Sequence, residues 1–145
     1  MIEESEKIRK LEIVARIKKL SLNLNNCSKV NIKLKGCETL KLVIPNCKIL
    51  TFAIDTPIPK FTYSHEKIED LKIRLENCSE FQLDLPNCSV LTIEKTRVKK
   101  LEIKECKQIE KITIYSMSID VLYDIMKLLP ELINLKEFIH KTYIP

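Results

Sequence analysis

The chain has 145 residues, 45% of them apolar and 31% charged, with a net charge of +5 from 25 basic and 20 acidic side chains. This is the composition of one globular domain with a core of its own, and it excludes a disordered chain. The positive excess is too mild to imply a nucleic-acid partner, and no apolar run approaches the roughly 18–20 residues that cross a bilayer.

The start, MIEESEKIRK, is charged and lacks the apolar centre of a signal peptide. The expected location is therefore cytoplasmic, where six cysteines are reduced thiols. From Leu11 the chain falls into short alternating runs. They begin at Leu11, Leu20, Val30, Leu40, Leu50, Phe61, Leu71, Phe81, Leu91, Leu101 and Ile112, and two residues on each is apolar or aromatic again. Alternation with period two predicts strands. The links between them, such as NNCSK, KGCET, ENCSE and PNCSV, carry the asparagine and proline that suit corners. A longer period lies on top: VNIKLKGCETLKLVIPNCKIL (Val30 to Leu50) aligns without gaps on LKIRLENCSEFQLDLPNCSVL (Leu71 to Leu91). A coil of two strands, about 20 residues, accounts for both periods.

Cysteine recurs at one place in these units. Cys27, Cys37, Cys47, Cys78 and Cys88 each follow a strand start by seven residues. Ile68, Val98 and Ile119 fall at the same offset, and Pro57 is the misfit. The types that share this position share apolarity and modest size, not reactivity, so it reads as a packing position. A mainly β, parallel β-solenoid stacks such positions directly. The alternative, an antiparallel β meander, would put successive corners at opposite ends of the sheet.

Corner and following strand together read IKKLSL, CSKVNI, CETLKL, CKILTF and CSVLTI. This pattern resembles the L-x-x-L-x-L core of leucine-rich repeats, over Ile17 to Tyr115. Ordinary members return every 20–29 residues, whereas a core returns here about every ten. The resemblance therefore implies a compact leucine-rich-repeat-like solenoid with strands on both sides of the coil, and a role in binding partners. From Ser118 the spacing turns helical, with Val121, Leu122, Ile125, Met126, Leu128 and Leu129 on one broad face. A single domain over 1–145 follows, with the repeat solenoid at 11–116 and a C-terminal helical cap at 117–145.

Signs of catalysis are weak, and no enzyme is expected. The cysteines lack the close pairing of zinc ligands, and the histidines are His65 and His140 alone. One glycine, Gly36, cannot make a phosphate-binding loop. No cofactor, metal or catalytic residue is predicted. A base role for His65 toward a corner thiol is the alternative, but the residue reads better as a filler or surface histidine. The candidate binding face is the outward row set Lys33, Thr51, Lys72, Arg74, Thr92, Glu94, Thr113 and Tyr115. It lacks a basic stripe with aromatics, so neither nucleic acid nor membrane is the expected partner. The expected function is a protein–protein interaction module or scaffold. A self-associating subunit stacking end to end as a homo-oligomer is the alternative, and an enzyme on an extended polymer comes third.

Overall fold

Short alternating segments with two apolar rows each cannot bury those rows alone; they must face a second strand across a thin core. The computed structural model describes residues 8–56, 58, 60–75, 78–96, 99–116 and 120–142. Along these the strands are β1 (Lys10–Arg16), β2 (Lys19–Asn23), β3 (Lys29–Lys35), β4 (Thr39–Val43), β5 (Ile49–Ile54), β6 (Lys60–Ser64), β7 (Asp70–Leu75), β8 (Glu80–Asp84), β9 (Val90–Thr96), β10 (Lys100–Ile103) and β11 (Lys111–Ser116), followed by helix α1 (Asp120–Leu128) and strand β12 (Glu137–Thr142). Strands β1, β3, β5, β7, β9, β11 and β12, in that order, make a seven-stranded sheet. The other side of the coil is in two pieces, β2–β4 and β6–β8–β10. Every pairing is parallel. The chain is thus a parallel β-solenoid with one C-terminal helix, and not a meander.

Inward residues form ladders one strand apart, about 4.8 Å. One ladder runs Leu11, Val30, Leu50, Leu71, Leu91, Ile112 and Phe138, and its neighbour runs Ile13, Ile32, Phe52, Ile73, Ile93, Ile114 and His140. Facing them are Leu20 and Leu40, then Phe61, Phe81 and Leu101. Most of these side chains are buried. Burial of that kind contributes about 1.5–3 kcal/mol per large aliphatic residue, and it supplies most of the driving force.

The corners explain the recurring PNC. Cys47 N–H donates to the Ile44 carbonyl at 3.1 Å, and Cys88 N–H to that of Leu85 at 3.2 Å, closing four-residue turns. Pro45 and Pro86 take the second turn position, where a fixed φ is favourable. Asn46 Nδ2 reaches the Asn25 carbonyl of the coil before at 2.7 Å, and Asn87 Nδ2 that of Glu66 at 2.5 Å. The asparagine is therefore a clasp between coils. Each thiol in turn donates to the carbonyl two residues on: Cys27 to Lys29, Cys37 to Thr39, Cys47 to Ile49, Cys78 to Glu80 and Cys88 to Val90, at 3.2–3.4 Å. Cysteine offers small apolar bulk plus one weak donor, which isoleucine lacks.

Strand register sorts the corner residues into two ladders. One runs Ile8, Cys27, Cys47, Ile68, Cys88, Ile109 and Leu135; the other is in two pieces, Ile17 with Cys37 and Ile58 with Cys78. Ile58, not Pro57, holds the position that looked mismatched in the sequence, because the coil from Thr39 to Lys60 is one residue longer than its neighbours. Pro57, Val98 and Ile119 lie outside the described residues. Cys106 belongs elsewhere: its carbonyl accepts from Ile109 N–H at 3.1 Å, as Ile44 and Leu85 do in their turns.

The segment after β11 holds more than a helix. Val121 and Ile125 bury one side of α1, which packs on β10. Asp124 Oδ2 accepts the Leu101 N–H at 2.8 Å, occupying the outer edge of that strand. The chain then returns through a turn at Leu132–Leu135 and adds β12 to the large sheet. The helical expectation for 117–145 fits Asp120–Leu128, while Glu137–Thr142 is strand. Its EFIHKT alternation has the same period as the earlier strands.

If the corner position selects packing, Cys88→Val should destabilise the protein by less than about 1.5 kcal/mol. Cys88→Asp, which buries a carboxylate, should cost more than about 3 kcal/mol. Urea unfolding of both variants decides this; equal losses would count against a packing role.

Candidate binding surface

The eight outward residues singled out in the sequence all lie on the outer side of the seven-stranded sheet, and the register arranges them in two rows. The first runs Glu12, Asn31, Thr51, Lys72, Thr92, Thr113 and Ile139. The second runs Val14, Lys33, Ala53, Arg74 and Glu94. Tyr115 stands at the far end of the second row, where the pairing of β11 with β9 slips between Ile114 and Ser116. Lys33 and Lys72 are exposed, Thr51, Arg74, Thr92, Glu94 and Tyr115 are half-buried, and Thr113 is buried.

Side-chain height shapes this surface. Thr51 and Ala53 are short, and their neighbours Lys33, Lys72 and Arg74 are long. The result is a shallow trough of about 720 Å³ over β5, walled on one side by Val14, Arg16 and Lys33 and on the other by Lys72, Arg74 and Glu94. Lys72 Nζ and Glu94 Oε1 are 3.2 Å apart. The far members of the predicted set, Thr92, Thr113 and Tyr115, lie outside the trough. Val14, Arg16, Lys35 and Asp55 line it but were not among the predicted residues. Arg16 and Lys35 were legible as outward positions one step further along β1 and β3; the depression over Ala53 depends on relative side-chain length across three coils.

The thiols are all free and buried. Desolvation pushes Cys47 up to about 11, with the nearby Cys27 adding to it, and Cys88 up to about 12, with Asp70 adding to it. Cys27, Cys37, Cys78 and Cys106 are also shifted upward, burial being the main cause in each. A nucleophilic cysteine needs the opposite shift.

His65 occupies the row of Leu24, Ile44 and Leu85 rather than facing a thiol. Its Nδ1 accepts from the backbone N–H of Lys67 at 3.1 Å and of Ile68 at 3.2 Å. That leaves the hydrogen on Nε2, which donates to the Ile44 carbonyl at 2.8 Å. Both ring nitrogens serve the corner: one replaces a turn carbonyl, the other ties the coil to the one before. Among the described residues no three His, Cys, Asp or Glu side chains converge as a metal site, and no helix is long and apolar enough to cross a membrane. No protein-family model, no curated protein and no solved structure matches this chain.

The raised thiol values carry a pH dependence. The folded state holds these protons more tightly than the unfolded one, so the contribution is full below the ordinary value of 9.0 and fades as pH rises towards about 11 for Cys47 and about 12 for Cys88. Urea stability should be lower at about pH 10.5 than at about pH 8, and a Cys47→Val, Cys88→Val double variant should lose less over that interval. An identical loss in both proteins would refute the assignment.

Proposed function

We propose that the chain is a non-catalytic protein-binding module that holds an extended, acidic segment of a partner protein along the outer side of the seven-stranded sheet. The supporting observation is the trough over Thr51 and Ala53. Arg16, Lys33, Lys35, Lys72 and Arg74 outnumber Asp55 and Glu94 among its lining residues. A carboxylate-bearing segment fits that bias, and cations at such a rim act on encounter rate and specificity. A stack of parallel coils gives the rows a fixed spacing, so little order has to be imposed on binding. The L-x-x-L-x-L pattern supports the same reading, as a compact relative of the leucine-rich-repeat solenoids. The proposal places the chain in a reducing, cytoplasmic setting, consistent with six free buried thiols.

Partners captured by the wild-type protein should include at least one that Ala53→Arg loses, since the new side chain fills the trough. Gln82→Arg, on the opposite side of the coil, should keep it. The same captured set from all three proteins would sink the proposal.

A second reading, end-to-end self-association, is favoured by one observation: β1 and β12 both lie at edges of the large sheet, and Lys10 and Glu137 stand in one register row. Light scattering over a wide concentration range is expected to report a rising mass on this reading. A constant monomer mass removes it.

A further inference from the structure

The second side of the coil is broken between β4 and β6. The break has identifiable causes. Before β4 and before β10, the residue just ahead of the strand donates its N–H across: Glu38 to the Lys18 carbonyl at 2.8 Å, and Lys99 to that of Ser79 at 2.7 Å. Before β6 the sequence has Pro59, outside the described residues, and a proline has no N–H to give. The same coil carries the bulkiest core: Phe61 lies 5.4 Å from Phe52, 6.0 Å from Tyr63 and 5.8 Å from Phe81, ring centre to ring centre.

At the break the core opens. Leu20, Leu22, Phe81 and Leu83 are buried, but Leu40, Leu42, Phe61 and Tyr63, in the same two rows, are only half-buried. Between them is a cleft of about 460 Å³ whose floor is Leu50, Phe52 and Leu71 of the large sheet. Its volume is that of a small-molecule site. Lys41, Lys60 and Thr62 stand at its rim. Strands β2, β4 and β6 together carry Lys19, Lys41 and Lys60 and no carboxylate, whereas β8 and β10 carry Glu80, Asp84 and Glu102 with one lysine, Lys100.

We propose that this cleft binds a small amphipathic carboxylate, an acyl or aryl acid whose apolar body enters between β4 and β6 while its carboxylate meets Lys41. Two features decide against an added peptide strand. The His65–Ile44 bond at 2.8 Å and the Lys67–Asn46 bond at 2.6 Å tie the two coils together at one end of the break. Behind it β5 pairs continuously with β3 and β7, so the coils cannot part by a whole strand. Lys41 is the better anchor of the two rim lysines, because Lys60 shares Glu80 with Lys100 at 3.9 and 3.8 Å. The site is independent of the outer trough, which lies on the other sheet.

Methyl NMR of the full chain, titrated with decanoate below its micellar concentration, tests this directly. Decanoate should shift the methyls of Leu40, Leu42 and Leu50 saturably, and decylamine should not. Lys41→Glu should weaken decanoate by about tenfold, and Leu42→Phe, which narrows the cleft, should weaken it too; Lys19→Glu, at the start of β2, should leave it within about twofold. Equal binding of decylamine, shifts confined to other methyls, no shift at all, or an extended peptide that displaces decanoate would each overturn the proposal.

Discussion

The structure depends on one constraint: each coil must land on the coil before it in register. A parallel strand pair has no hairpin to fix its alignment, so the alignment must come from side chains and corners. Here the corner does most of that. The turn closed by Cys47 and Cys88 N–H sets where the next strand begins, the asparagine clasp sets how far the coil sits from its neighbour, and the thiol fills the space under the turn. Each such bond contributes on the order of 1 kcal/mol net. Their value lies less in the sum than in exclusion: a slip of one residue would turn every apolar row outward.

The constraint also shows where the fold gives way. Along the large sheet the coil length runs 19, 20, 21, 20, 21 and 26 residues. The corners absorb these differences, and the seven strands stay paired, with one slip between Ile114 and Ser116. The other side has shorter strands, four or five residues each, and fewer ladder bonds with which to absorb the same variation. Where an extra residue, a proline and three aromatic rings coincide, pairing fails there and not on the large sheet. His65 and Lys67 then replace backbone bonds with side-chain bonds, and keep the two coils together at that end.

The ladders were readable in the sequence because both signals, alternation and a recurring corner residue, are local and repeat many times. The corner residue also separated parallel from antiparallel stacking, since only the former superposes Cys27 on Cys47. Three things were not readable. Ile58 takes the corner position because register counts from the strand after it, not the strand before. Strand β12 was hidden by the helical spacing just ahead of it and by a coil of 26 residues, well outside the period. The outer trough was only half legible: Lys33, Thr51, Lys72, Arg74 and Glu94 were found as outward residues, but a depression is a property of neighbours in different coils. Thr113, counted among the outward residues, is only 7% exposed.

At the C-terminal end of the solenoid the two sides of the coil are closed by different chemistry. On the short-strand side, α1 covers β10, with Asp124 taking a backbone donor that a further strand would need. On the long-strand side the final strand carries His140 in an inward row otherwise made of Ile13, Ile32, Phe52, Ile73, Ile93 and Ile114. Its Nε2 is shielded and has no hydrogen-bond partner among the described residues. A second copy continuing the sheet would set Ile13 against that imidazole and bury it further, still without an acceptor or donor, at a cost of about 1–3 kcal/mol. An inward polar residue at an edge is a known way to discourage strand addition. The Lys10–Glu137 row attracts a second copy only through exposed charge, worth no more than about 1 kcal/mol. The buried term is the larger, so the geometry disfavours growth from the β12 edge.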